Sequence, residues 1–239
     1  MALTGSLLFW TFMLLTSAVL FPVALLIRGV TFSFDRRLRF LHLFSCFWAS
    51  LYTWCNPLWS VRIEGKEHID RHAAYVMVCN HQSLVDILVL FRLFVHFKWV
   101  SKSENFRIPF VGWNMTLNRY IRIERGRLSG NLSMMRGAAA ALGEGSSVMI
   151  FPEGTRSARG EPAEFKAGAF ELAIRSGRPV LPIALHGTSA ALPRRGFILR
   201  GKQAMLIRVL EPIAPPWPPG TDAETLRTMA HGRIAGDLA

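Results

Sequence analysis

The segment CNHQSLVD sets His81 and Asp86 five residues apart, between the apolar runs Ala73–Val78 and Ile87–Phe91. A bare carboxylate among valines and leucines is costly unless it has a partner. Two partners are available. Ser83-Leu-Val-Asp86 has the pattern of a capping box, in which Asp86 serves the first turn of a helix. Alternatively, Asp86 accepts a hydrogen bond from one ring nitrogen of His81, which fixes the tautomer and leaves the other nitrogen as a base. Ser83 is better used as the helix cap than as a nucleophile.

Three further stretches gather chemistry at chain turns. FPEGTRS (residues 151–157) carries Glu153, the turn glycine Gly154, Thr155 and Arg156. YIRIERG (residues 120–126) ends in Glu124 and Arg125, and VLPIALHGT (residues 180–188) ends in Gly187 and Thr188. Each has an ordinary structural reading. Glu153 and Arg156 are placed to pair across their own turn, Arg125 sits in a basic run, and Pro182 is a mark of edge strands.

The elements that must position these residues are read from hydrophobic periodicity. Strand-like runs fall at residues 60–63, 75–79, 98–101, 120–123, 148–151, 180–185 and 205–210, with helix-like segments at 83–94, 128–142 and 167–175. This alternation predicts a single α/β domain with a largely parallel, twisted sheet, in which functional groups collect where strands end. It occupies residues 59–211. A proline-rich linker and a final helix follow over 212–239, and Thr221-Asp-Ala-Glu224 reads as that helix's capping box.

Residues 1–58 differ in kind. No charged side chain precedes Arg28, and residues 7–27 as a helix would be about 31 Å long, near the hydrocarbon thickness of a bilayer. A run this long without a basic start reads as a retained anchor, not a cleaved leader. A basic turn follows (Arg28, Arg36, Arg37, Arg39), then a second uncharged stretch, 40–61, rich in Trp and Tyr. There His42, Ser45, Ala49, Thr53 and Asn56 form a small, polar stripe, suited to a helix that lies in the interface or packs on the first. Two clean spans would carry the basic turn across the membrane, against the positive-inside tendency. One span or an interfacial pair is therefore expected, with the α/β domain on the cytoplasmic face.

Composition agrees. Of 239 residues 51% are apolar, and 28 basic residues against 16 acidic give a net charge of +12, which calls for an anionic partner. No helix-turn-helix, zinc-finger or RNA-binding pattern accompanies the charge, so nucleic acid is excluded in favour of membrane lipids. The three cysteines have neither metal-ligand nor disulfide spacing. No nucleophile elbow of the G-x-S-x-G type occurs, which disfavours a hydrolase.

In their order and spacing these blocks resemble the 1-acyl-glycerol-3-phosphate (lysophosphatidate) acyltransferase family of membrane glycerolipid acyltransferases. The likeness runs from about residue 60 to residue 210. N-H-x-x-x-x-D and F-P-E-G-T-R-S match in full, whereas Glu124 stands where the second block usually has Asp. The connectors KWVSKSENFRIPFVGW and FKAGAFELA also match. The resemblance implies transfer of a fatty acyl group from acyl-CoA or acyl-carrier protein to the 2-hydroxyl of lysophosphatidic acid, giving phosphatidic acid, without a metal or cofactor. It makes His81 and Asp86 the catalytic pair. It also implies that Lys102, Arg125 and Arg156 bind the phosphate, while Glu153, Gly154 and Thr155 help hold the rest of the acceptor. The alternatives are acyl transfer to another lysolipid, such as a lyso-ornithine lipid or lysophospholipid, and a non-catalytic membrane-binding protein.

Overall fold

The computed structural model describes residues 2–124, 126, 128–157, 162–194, 196–218 and 220–239. In chain order its elements are α1 (Ala2–Val30), α2 (Arg39–Trp54), β1 (Trp59–Glu64), β2 (Val76–Cys79), α3 (Val85–Leu90), β3 (Phe97–Lys102), α4 (Val111–Leu117), β4 (Ile121–Ile123), α5 (Leu128–Gly143), β5 (Ser147–Ile150), α6 (Gly168–Ser176), β6 (Val180–His186), α7 (Thr188–Ala191), β7 (Gln203–Val209) and α8 (Ala223–Leu238). Every strand-like run became a strand.

The strands form one sheet in the order β1-β7-β6-β2-β5-β3-β4. β6, β2, β5, β3 and β4 run parallel; β7 returns antiparallel to β6 and carries β1 beside it. Pro182 therefore lies in an interior strand, not an edge. Alternate side chains feed two cores. Met77, Cys79, Phe97, Trp99, Leu181 and Leu185 pack under α2 and α3. Val76, Val78, Val148 and Ala184 pack with Leu226, Ala230 and Ile234 of α8 and with residues of α5 and α6.

Three local expectations shifted. The helix-like run 83–94 is a helix only over Val85–Leu90, followed by a 3₁₀ turn, Phe91–Leu93, that ends at Phe94 with φ 51°. The cap of α8 is Asp222, one residue later than read; it accepts the backbone N–H of Thr225 at 2.8 Å, while Thr221 donates to the Pro218 carbonyl. The polar stripe of α2 faces the α/β domain and not α1. His42 Nε2 donates to the Val95 carbonyl at 2.9 Å, leaving Nδ1 to accept from the Tyr120 hydroxyl at 2.8 Å. Ser45 accepts from Asn114 and Asn118.

α1 meets α2 through the adjoining face, that of Leu41, Trp48 and Tyr52. Tyr52 Oη accepts the Trp48 indole N–H at 2.6 Å and shares hydrogen bonds with the hydroxyls of Thr16 and Ser17, each at 3.1 Å. The buried residues of α1 are Ser6, Ser17 and Ala24, whereas Leu8 and Val19 are each 68% exposed. This helix keeps its small polar residues inside and its leucines outside, the reverse of a surface helix in water.

Candidate active site

β2 ends at Cys79, and the side chain of Asn80 takes over from the ladder. Its Nδ2 donates to the Leu185 carbonyl at 3.0 Å and its Oδ1 accepts the Leu185 N–H at 2.8 Å, as a peptide group would. The sheet is thereby satisfied while the backbone turns away, which places His81 at the carboxyl edge of the parallel strands.

His81 Nδ1 donates to Asp86 Oδ2 at 2.7 Å. The same oxygen accepts the backbone N–H groups of Gln82 at 2.7 Å and Ser83 at 2.8 Å. Both readings of Asp86 therefore hold at once: the carboxylate ties the first turn of α3 and orients the imidazole. Asp86 is wholly buried, and three N–H groups on one oxygen offset its desolvation. The Ser83 hydroxyl donates to the Leu192 carbonyl at 2.7 Å and accepts from Val85 N–H at 3.2 Å, which commits it to structure. The His81 side chain is 14% exposed, and its Nε2 makes no hydrogen bond among the described residues.

The loop after β5 holds the histidine from the other side. Glu153 Oε1 accepts the His81 N–H at 2.6 Å, Glu153 Oε2 accepts the Ala163 N–H at 3.0 Å, and the Ser157 N–H donates to the His81 carbonyl at 2.7 Å. Glu153 thus braces two backbone segments and does not pair with Arg156. Burial raises its carboxyl pKa above the ordinary value, with the two backbone donors acting in the opposite sense. The Phe151 ring stacks on the imidazole at 4.0 Å between centroids and 14° between planes, blocking one face. Gly154 has φ 73°, a left-handed turn that a side chain would strain. The Lys166 chain passes over that glycine, with Nζ 2.9 Å from where a β-carbon would stand.

Lys102 closes β3, one strand beyond β5, and so lies about 10 Å across the sheet from the β2 line. It pairs with Glu104 at 3.0 Å and is half exposed. Thr155 is exposed, and Arg156 is partly buried with no ion pair among the described residues. Arg125 lies outside the described residues. The structure thus brings His81, Asp86, Glu153 and Gly154 into one contact network and sets Lys102 at its margin. Asn80, Phe151, Ser157 and Lys166 had not been singled out. Asn80, Phe151 and Ser157 are members of the quoted blocks and Lys166 of a quoted connector, but only the fold reveals what they touch.

Residues 60–186 match the family described as Acyltransferase. The chain is 35% identical over 235 residues to a 1-acyl-sn-glycerol-3-phosphate acyltransferase of Chlamydomonas reinhardtii, covering 96% of this chain and 67% of that protein. It is 34% identical over 226 residues to the chloroplastic 1-acyl-sn-glycerol-3-phosphate acyltransferase LPAT1 of Arabidopsis thaliana, covering 91% and 60%. The chain thus spans about three fifths to two thirds of the length of these relatives. Its fold superposes with a TM-score of 0.79 on the crystal structure of the 1-acyl-sn-glycerophosphate acyltransferase PlsC of Thermotoga maritima, at 22% identity over 100% of this chain and 96% of the other.

Proposed function

This chain belongs to the acyltransferase family, and on that premise we propose that it moves a fatty acyl group from a thioester carrier to the 2-hydroxyl of 1-acyl-sn-glycerol-3-phosphate. The observation that supports the reading is the His81–Asp86 pair, whose Nε2 makes no hydrogen bond among the described residues and is left available as a base. In the proposed reaction, Nε2 takes the proton of the acceptor hydroxyl as its oxygen attacks the thioester carbonyl. The tetrahedral intermediate then expels the carrier thiolate, which receives that proton from the imidazolium. Asp86 holds Nδ1–H in place and balances the positive charge while it lasts.

Glu153 acts in this scheme as a positioning residue, because its oxygens are taken by backbone N–H groups. The phosphate falls to Lys102, Arg125 and Arg156, with Lys166 as a further cation beside Gly154. The segment 92–136 has nine basic residues against two acidic, a surplus that also serves anionic headgroups.

We read the membrane attachment as one-sided, with the catalytic domain on the cytoplasmic face. α1 is long and apolar enough to span. However, it touches the domain from Ser6, bonded to Leu199, to Phe21, whose ring meets Trp113 edge-on, about 22 Å along its axis. A helix lying on the domain over that length fits an interfacial anchor.

A direct test offers the purified protein a panel of lysolipids with acyl-CoA and, separately, acyl-carrier protein thioesters. Preferred turnover of 1-acyl-glycerol-3-phosphate supports the reading, and the better donor identifies the carrier. Activity confined to a lyso-ornithine lipid or a neutral lysophospholipid would overturn the acceptor.

A further inference from the structure

The segment 193–202, PRRGFILRGK, has four basic residues, no acidic one, and an apolar pair at its tip. Phe197 is 69% and Ile198 49% exposed, although the next residue, Leu199, is buried in the core. The loop is not loosely attached. Trp10 Nε1 of α1 donates to the Phe197 carbonyl at 2.7 Å, Leu199 N–H donates to Ser6 Oγ at 2.8 Å, and Arg200 N–H donates to the Ala191 carbonyl at 2.9 Å. The Trp10 ring also meets the Phe197 ring edge-on at 6.0 Å.

Backbone held within and just after an exposed Phe-Ile pair means that the pair is presented, not left over from an unfolded tail. A water-facing loop gains nothing from showing this much apolar surface. The pair stands beside the first turns of α1, through Trp10 and Ser6, where Leu3, Leu7 and Leu8 are also exposed. Around it, Arg194, Arg200 and Lys202 are exposed. Apolar residues that reach acyl chains, ringed by cations that reach phosphates, match the layering of an anionic membrane surface.

We propose that the 193–202 loop is a second membrane-insertion point, in which Phe197 and Ile198 enter the same leaflet as α1 and Arg194, Arg200 and Lys202 bind anionic headgroups. The loop follows α7, which joins it to the active-site strand edge: Ser83, two residues from His81, donates to the Leu192 carbonyl. Insertion therefore sets the height of His81 above the lipid surface from the side opposite the basic α1–α2 turn. The proposal rests on the lipid-facing reading of α1, and the two fail separately.

The test places a single environment-sensitive fluorophore on Phe197→Cys, and in parallel on Leu8→Cys of α1, each in a Cys55→Ser background, since Cys46 and Cys79 are buried. The full chain is bound to vesicles of phosphatidylglycerol and phosphatidylethanolamine, some with quenchers on their acyl chains. Both labels are expected to shift to the blue and to be quenched. A quenched Leu8 label with an aqueous Phe197 label would overturn the loop proposal alone, and two aqueous labels would overturn both readings. In the same assay, the double variant Phe197→Ser/Ile198→Ser is expected to bind about tenfold more weakly. Neutralising Arg200 or Lys202 should cost about fivefold each on anionic vesicles and nothing on neutral ones. A self-association in micelles that disappears in the double variant, with no change in vesicle binding, would assign the patch to a second copy of the chain instead.

Discussion

His81 is fixed at four points: its ring nitrogen by Asp86, its N–H by Glu153, its carbonyl by Ser157 and its ring face by Phe151. Such over-determination is what a base needs if its open nitrogen is to meet a hydroxyl repeatedly in one geometry. Asp86→Asn keeps an acceptor oxygen for the first turn of α3 but removes the charge and permits the wrong tautomer. It should lower kcat by about 10²–10⁴-fold, with a much smaller shift in KM. Steady-state kinetics check this, and equal losses in kcat and unfolding midpoint would make Asp86 a cap alone. The His–Asp pairing was legible in the sequence, because the carboxylate's apolar neighbours demand a partner and five residues bring one within reach. The bracing by Glu153 was not. Its residue type was conspicuous, but the N–H groups it accepts belong to a strand end and a loop that only the fold brings together.

At the scale of elements, the strands were readable because each is a short apolar run between turns, and their carboxyl ends collect the chemistry as parallel sheets require. The order of the strands was not readable, since pairing of β1 with β7 is decided by packing between residues 144 apart in sequence, as in Trp59 with Gln203. The stripe on α2 was also legible as a stripe, but periodicity does not say which neighbour it faces. That face is where Lys98 works, donating to the Arg37 carbonyl of the α1–α2 turn at 2.9 Å and to the Asn118 carbonyl at 2.8 Å. Burial lowers its pKa to about 8. Below that value folded and unfolded chains both carry the proton, and the folded one bears the desolvation cost. As pH rises from about 8 towards the ordinary lysine value of about 10.4, only the unfolded chain stays charged, and the fold is relatively stabilised. Wild type should therefore gain on Lys98→Met by about 1–3 kcal/mol across that window, read from urea midpoints in detergent. A constant difference would mean that Lys98 has an ordinary pKa and that the turn is held by other contacts.

At the scale of the molecule, two cores share one sheet, and a third cluster under α1 joins the apolar helices to it through Leu41, Trp48 and Tyr52. The long apolar helix was legible from hydropathy, but whether it would span a bilayer or lie in its interface depends on where its flank packs, and a 29-residue apolar helix is compatible with either. Contacts at both Ser6 and Phe21 favour the interfacial arrangement. Cysteines at Leu3 and at Phe32, introduced singly, should then react with a membrane-impermeant maleimide from the same side of sealed vesicles. Labelling from opposite sides would show that α1 crosses. The +12 charge fits the same orientation, since Arg28 and Arg36 flank the turn at one end of α1 and the 193–202 loop lies by the other.

The central claim is that His81 is the base in acyl transfer to a lysolipid alcohol. Its most direct test is the initial rate of acyl transfer from acyl-CoA to 1-acyl-glycerol-3-phosphate in lipid vesicles, wild type against His81→Ala, with both proteins shown to be vesicle-bound. The account predicts product from the wild type and a loss of about 10²–10⁴-fold in the variant at unchanged membrane association. An active wild type matched by His81→Ala would contradict it.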